Sequence, residues 1–347
     1  MGDDGVVRDL SPGYFSFVMA TGIVSIAAEL QGWPWVSGAL LWIAMAGYVV
    51  LIALNVLRAA RHGDAMYADL RSPSRAFGFF TFVAATSVLG TRLCLDGHLG
   101  TAEILLGVSA VAGLILGYVV PACSFSRDDQ RSITRSADGS WFVWAVAVQS
   151  IAVLSATIQP RTESAHDPLA LLATAAWGIG VFLYIVIGLV VAARLALFRL
   201  EPAELTAPYW VGMGATAITV VAGSTIMGMT ETPVGAMTRG LVTGTTVVFW
   251  AFGTWLIPPL LFAGYWRHVR HRVPLRYEVA LWSIVFPLGM YGVGSRDLGR
   301  QGDLALLDTI GHIEVWFALA AWTVTFAAML VSVARTGQPT KLFVQKP

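Results

Sequence analysis

Ten long apolar runs follow one another along the chain, and the polar residues gather in the short gaps between them. The runs cover about 12–30, 35–57, 76–95, 99–121, 140–158, 168–193, 207–229, 241–265, 277–295 and 308–334. A helix needs about 20 residues, at 1.5 Å of rise each, to cross a hydrocarbon core roughly 30 Å thick, and every run comes close to that length. The odd-numbered runs begin at 12, 76, 140, 207 and 277, so a two-helix unit recurs every 64 to 70 residues. The pattern predicts an all-α integral membrane protein whose ten transmembrane helices form five consecutive helical hairpins with internal pseudosymmetry. A ten-helix transmembrane region over 12–335 is flanked by a short N-terminal segment, 1–11, and a short tail, 336–347.

Composition agrees with that class. Hydrophobic residues make up 56% of the 347 and charged ones 12%, where soluble domains carry about 25% charge. The first ten residues hold Asp3, Asp4 and Asp9 against Arg8. They lack the basic start of a cleaved signal peptide, so the first span is expected to stay in the mature protein.

The basic residues set an orientation. Arg58, Arg61, Arg71 and Arg75 follow the second run, Arg127, Arg131 and Arg135 the fourth, Arg194 and Arg199 the sixth, and Arg267, Arg270, Arg272 and Arg276 the eighth. With Arg8, Arg335, Lys341 and Lys346, that side carries 17 of the 22 basic residues. Positive-inside bias then puts both termini in the cytoplasm. Twenty arginines against two lysines point to a GC-rich bacterial genome, and so to the cytoplasmic (inner) cell membrane.

Candidate chemistry is sparse. Cys94 and Cys123 fall on opposite membrane faces, beyond disulfide reach. The histidines show no metal-ligand spacing, and neither a zinc-protease nor a phosphate-loop motif occurs. No enzyme activity, cofactor, metal or nucleic-acid partner is expected. What remains is passage of a solute through the bilayer.

The odd spans carry hydroxyl and amide side chains through their middles, among them Thr21, Ser25, Thr86, Ser87, Gln149, Ser150, Thr219, Ser224 and Ser283. Most even spans have fewer, although Thr243, Thr245 and Thr246 crowd the eighth. A hydroxyl in a membrane helix can bond to its own backbone or to a neighbour. Recurrence in alternate helices points instead to an interior path lined by the odd set. In the ninth span, Pro287 lacks an N–H and leaves the Ser283 carbonyl without its helical partner. Phe286 sits beside that break and can act as a hydrophobic constriction.

The run Ser11-Pro12-Gly13-Tyr14-Phe15-Ser16-Phe17-Val18-Met19-Ala20-Thr21-Gly22-Ile23 resembles the first helix of the tellurite-resistance/dicarboxylate transporter proteins. That TehA-like group includes fungal malate and sulfite carriers and plant guard-cell slow anion channels. Trp282-Ser283-Ile284-Val285-Phe286-Pro287 is similar to the family's ninth helix. The resemblance spans about residues 10–335. It implies five hairpins around a quasi-five-fold axis, odd helices lining a central pore, and a homotrimer with one pore per protomer. It also implies that Phe286 is the gate, and that the cargo is small anions or C4-dicarboxylates such as malate.

No Lys or Arg stands at the centre of any span, so anion preference would rest on neutral donors that bind weakly enough to release. Arg92 and Arg296, toward the outer ends of the third and ninth spans, are candidates for the pore mouth. The alternative is a proton-coupled carrier for a C4-dicarboxylate, sulfite or tellurite, which needs an intramembrane acid. Glu314, two residues from His312, is the best placed for that role.

Overall fold

A computed structural model describes residues 3–125, 134–162 and 165–336. Arg127, Arg131, Lys341 and Lys346 of the orientation argument lie outside these, as does the tail from 337. The described residues are almost wholly helical, with no strand among them. Among the described residues, nine helices are long and apolar enough to cross a membrane. They are α1 (Pro12–Leu30), α2 (Pro34–Arg61), α3 (Pro73–Leu95), α4 (Leu99–Phe125), α5 (Gly139–Arg161), α6 (His166–Leu197), α7 (Ala207–Met227), α8 (Pro233–Arg270) and α10 (Ala305–Ala334). Between the last two lies α9 (Trp282–Gln301), of similar length but with Arg296, Asp297 and Arg300 near its end.

The two sets of helices occupy different layers. α1 packs on α3, α3 on α5, α5 on α7, α7 on α9, and α9 back on α1, which closes a ring. Each even helix lies outside, against its own hairpin partner and the next odd helix. Among the nine spans, the odd ones have 78–89% of their most apolar stretch buried and the even ones 11–28%. Exposed apolar side chains such as Trp42, Phe182, Trp255 and Phe317 cover the even helices. Lipid would solvate that outer surface, since no water-facing stripe interrupts it.

The odd helices start alike. Each has a 3-10 turn at the foot of its main α-helical stretch: Pro12–Tyr14, Phe77–Phe79, Gly139–Trp141, Ala207–Tyr209 and, just before α9, Val279–Leu281. The five turns touch in sequence and close a second ring at one end of the first. Their approach is close enough to need glycine. A Cβ on Gly139 would lie 2.2 Å from the Pro208 carbonyl oxygen, and one on Gly78 2.9 Å from the Gly13 nitrogen. Aromatic residues follow at the junction with the α-helix, as in Tyr14-Phe15, Phe79-Phe80, Trp141-Phe142 and Tyr209-Trp210. This repeat was within reach of sequence inspection, at the 64–70-residue period already visible in the spans.

The even helices begin and end where local chemistry dictates. α8 starts eight residues before its apolar run because Thr232 caps it, accepting from the Gly235 N–H at 3.2 Å, and Pro233 suits the first turn. The gap after α2 holds a short helix, Gly63–Leu70, that hydropathy did not mark. Arg58, fully buried, holds it by an ion pair of 2.7 Å to Asp69, which also meets Arg75 at 2.7 Å.

Candidate functional site: two cavities inside the odd-helix ring

Two cavities lie inside the ring, each lined by all five odd helices. The proximal one, about 510 Å³, sits among the five 3-10 turns. Hydroxyls dominate its wall: Ser11 and Ser16 from α1, Ser72, Ser74 and Thr81 around α3, Ser140 from α5, Thr206 before α7 and Ser283 from α9. Its charged groups are Arg75, Asp138 and Glu278. Asp138 caps the α5 turn, accepting from the Ser140 N–H at 2.8 Å and the Ser140 hydroxyl at 2.5 Å. Burial pushes its carboxyl above the ordinary aspartate value, and the Ser140 hydrogen bonds and Arg194 only partly oppose this.

The distal cavity, about 370 Å³, has a greasy inner part of Ile23, Val88, Ile218 and Met290. Ser150 stands at that same level, and toward the mouth come Thr157, Ser224, Thr225 and Gln301, with Arg161, Asp297 and Arg300. The Ser224 hydroxyl is buried and makes no hydrogen bond. Arg161 donates to the Thr157 carbonyl at 2.5 Å, which holds it at the end of α5.

Between the cavities on α9 comes Phe286, completely buried, three residues past Ser283 and four before Met290. The intervening stretch is about 10 Å at helical rise. Phe286 and Pro287 pack on Gly214 of α7, and α9 stays helical on both sides of the proline.

The sequence candidates separate into groups. Ser150 and Ser224 line the distal cavity and Ser283 the proximal one. Thr21, Ser25, Thr86, Gln149 and Thr219 line neither, because the outer layer or a neighbouring odd helix engages them. Thr21 accepts from the Trp322 indole at 3.0 Å, and Thr86 pairs with the Tyr48 hydroxyl at 2.8 Å. Ser25 donates to the Ser37 carbonyl at 2.8 Å. The Gln149 amide donates to Thr219 at 3.1 Å and to the Trp177 carbonyl at 3.2 Å. Ser87 is buried and lines neither cavity, and its hydroxyl makes no hydrogen bond.

Neither of the arginines expected at the mouth lines a cavity. Arg92 is buried between α1, α2 and α3, where it donates to Ser25, Ser37, Glu29 and Asp96. Arg296 is buried beside Gln31 and Asp308. The arginines at the mouth are Arg161 and Arg300, one helical turn beyond the expected position in the case of Arg300. His312 donates from Nδ1 to Gln31 at 2.6 Å, and Glu314 stands behind Gly292; neither reaches a cavity. The acid in the distal cavity is Asp297, while Asp138 and Glu278 line the proximal one. Among the described residues no cluster could hold a metal ion.

A multi-pass all-α fold with two cavities enclosed by its inner helices fits a membrane transport protein. The chain belongs to the voltage-dependent anion channel (SLAC1) family, whose profile matches residues 9–330. An uncharacterized membrane protein of Mycobacterium tuberculosis is 60% identical over 155 residues, 45% of this chain and 79% of that one. An uncharacterized transporter of Methanocaldococcus jannaschii is 22% identical across 92% of both chains. A sulfite efflux pump of Arthroderma otae is 22% identical across 94% of this chain and 91% of its own.

Proposed function

We propose that the protein passes small anions along the inside of the odd-helix ring, and that Phe286 closes this path. The observation that carries the reading is the buried Phe286 ring standing between the hydroxyl-rich proximal cavity and the distal one, in a member of an anion channel family. In this reading the proximal cavity faces the cytoplasm and both termini lie there, in the inner cell membrane. All five odd helices run outward, so five helix N-termini converge on the proximal cavity. Each carries a partial positive charge of about half an electron, which favours anions, with the start of α5 already capped by Asp138. Hydroxyls supply further neutral donors, and no fixed cation on the inner stretch would trap a divalent ion.

The cargo is a small oxyanion or C4-dicarboxylate, and sulfite is the first to try because of the relative's name. The protein is a homotrimer with one path per protomer, as chemical crosslinking would count. Channel-like passage is favoured because Glu314 and His312 stand outside both cavities. Asp297 on the distal wall supports a second reading, proton-linked transport. In liposomes, a channel dissipates an anion gradient without moving protons, and Phe286→Ala raises the flux. Flux that collapses with the pH gradient, is unmoved by Phe286→Ala and is lost in Asp297→Asn decides for the carrier.

A further inference from the structure

A third concavity lies outside the ring, at the end where the odd helices begin. It occupies about 340 Å³ between the end of α8, the start of α7 and the start of α9. Its wall is apolar, with Leu260, Leu261 and Ile284, and its rim carries Arg267, His268 and Arg276 against the single carboxylate of Glu278. The wall runs on without a break into the exposed apolar surface of α8, where Leu261, Phe262 and Trp255 are 59%, 66% and 63% exposed.

The rim is built rather than loose. α8 ends in a π-helical turn, Trp266–Arg270, and the chain then doubles back through Arg272 in a left-handed conformation (φ 53°). A residue without glycine's freedom holds that conformation only where its surroundings impose it. They do so here: the Val273 N–H donates to the Arg267 carbonyl at 3.1 Å, and the Val273 carbonyl lies 2.9 Å from His268 Nδ1. Arg267 Nη1 donates to the carbonyls of Pro202 and Ala203 at 3.2 and 2.5 Å, which leaves Nε and Nη2 for a ligand. Arg276 is exposed at the rim.

We infer that this groove binds an anionic phospholipid of the adjoining leaflet, with the phosphate at Arg267 and Arg276 and an acyl chain along Leu260, Leu261 and Ile284. Charge complementarity and the continuity of the wall with the lipid-facing surface select this occupant. A soluble anion would leave the apolar wall without a partner, and a zwitterionic lipid would set its own cation against the arginines. Basic pockets between helices at the cytoplasmic surface take acidic headgroups for this reason. The inference rests on the membrane-spanning fold and not on the anion path, so it survives or fails separately.

The test uses the full-length protein in a non-ionic detergent, with native mass spectrometry and thermal unfolding as readouts. Phosphatidylglycerol should survive as bound adducts and raise the melting temperature, while phosphatidylcholine should do neither. Arg276→Gln should weaken phosphatidylglycerol about fivefold, as expected for one lipid-contacting cation. Ile284→Trp, which fills the apolar end without changing charge, should weaken it as well; gel filtration checks that it is folded. Arg71→Gln, in a different basic gap, should bind as the wild type does. Equal retention of both lipids, or equal stabilisation by glycerol 1-phosphate alone, overturns the proposal. So does wild-type binding by both Arg276→Gln and Ile284→Trp.

Discussion

Gly214 of α7 lies directly against Phe286 and Pro287 of α9: a Cβ added to it would stand 3.4 Å from Phe286 Cδ1 and 2.8 Å from Pro287 Cγ. The absence of a side chain on α7 therefore lets the phenylalanine ring settle fully into the protein. Ile23 plays a comparable part on the other side of α9, 2.9 Å from where a Gly289 Cβ would be. Both glycines let α9 seat deeply between its neighbours at the level that separates the two cavities.

Gly214→Ala tests that seating. The proline ring is stiff and cannot swing aside as a long flexible side chain would, so the methyl must push α9 or the Phe286 ring. Overpacking of this kind costs about 1–3 kcal/mol. The expected result is a lowered melting temperature in detergent together with altered anion flux in liposomes. Pro287→Ala should restore room for the methyl, so that double variant should be more stable than the sum of the two single effects implies.

Arg92 makes a second prediction, about stability rather than passage. Its guanidinium is buried and joins three helices through Ser25, Ser37, Glu29 and Asp96. Arg92→Ala removes every one of these bonds, but Glu29 and Asp96 are each about a third exposed and can hydrate. The cost should be about 2 kcal/mol, below that of stranding a fully buried charge. Arg92→Lys should recover little, since an ammonium cannot reach the hydroxyls and both carboxylates in one plane. Arg300→Ala, half exposed, should leave the melting temperature almost unchanged.

The spans, their pairing and the distinction between layers were legible because lipid-facing helices must be apolar along their whole length. The facing of individual hydroxyls was not. An odd helix is buried on every side, so Thr21 and Ser283 look alike in sequence, yet one meets Trp322 of α10 and the other a cavity. The partner of Thr21 lies 301 residues away, and no local pattern encodes it. The burial of two arginines was hidden for a related reason. Arg92 and Arg296 look like headgroup anchors or mouth groups until Ser25, Ser37 and Gln31 from α1 and α2 are seen to enclose them. Arg161 and Arg300 gave no signal beyond standing at span ends.

Arg161 and Arg300 should act on the rate at which anions reach the distal cavity. Both lie at its mouth, where a cation raises the local anion concentration. Arg161→Gln and Arg300→Gln should each lower flux several-fold at low ionic strength when anions are supplied from the distal side. Screening should shrink the difference at about 1 M salt, where the Debye length is about 3 Å. A deficit that persists unchanged at high salt would mean that the arginines contact the ion or shape the path instead of steering.

Asp138 links the proximal cavity to pH. Its carboxyl is held above the ordinary aspartate value by burial, so the protein favours the protonated form more than the unfolded chain does. The stabilisation linked to that proton is complete below the unfolded value and is lost as pH rises through the folded one. Mild acidification should therefore stabilise the protein and, by the same step, remove a negative charge from a wall that anions must pass. Flux driven from the proximal side should rise as that side is acidified across the range just above the ordinary carboxylate value. Asp138→Asn keeps an oxygen for the Ser140 N–H and the turn at the start of α5. Its flux should match that of the acidified wild type and lose this part of the pH dependence. A pH profile identical to that of the wild type would show that another group senses the proton.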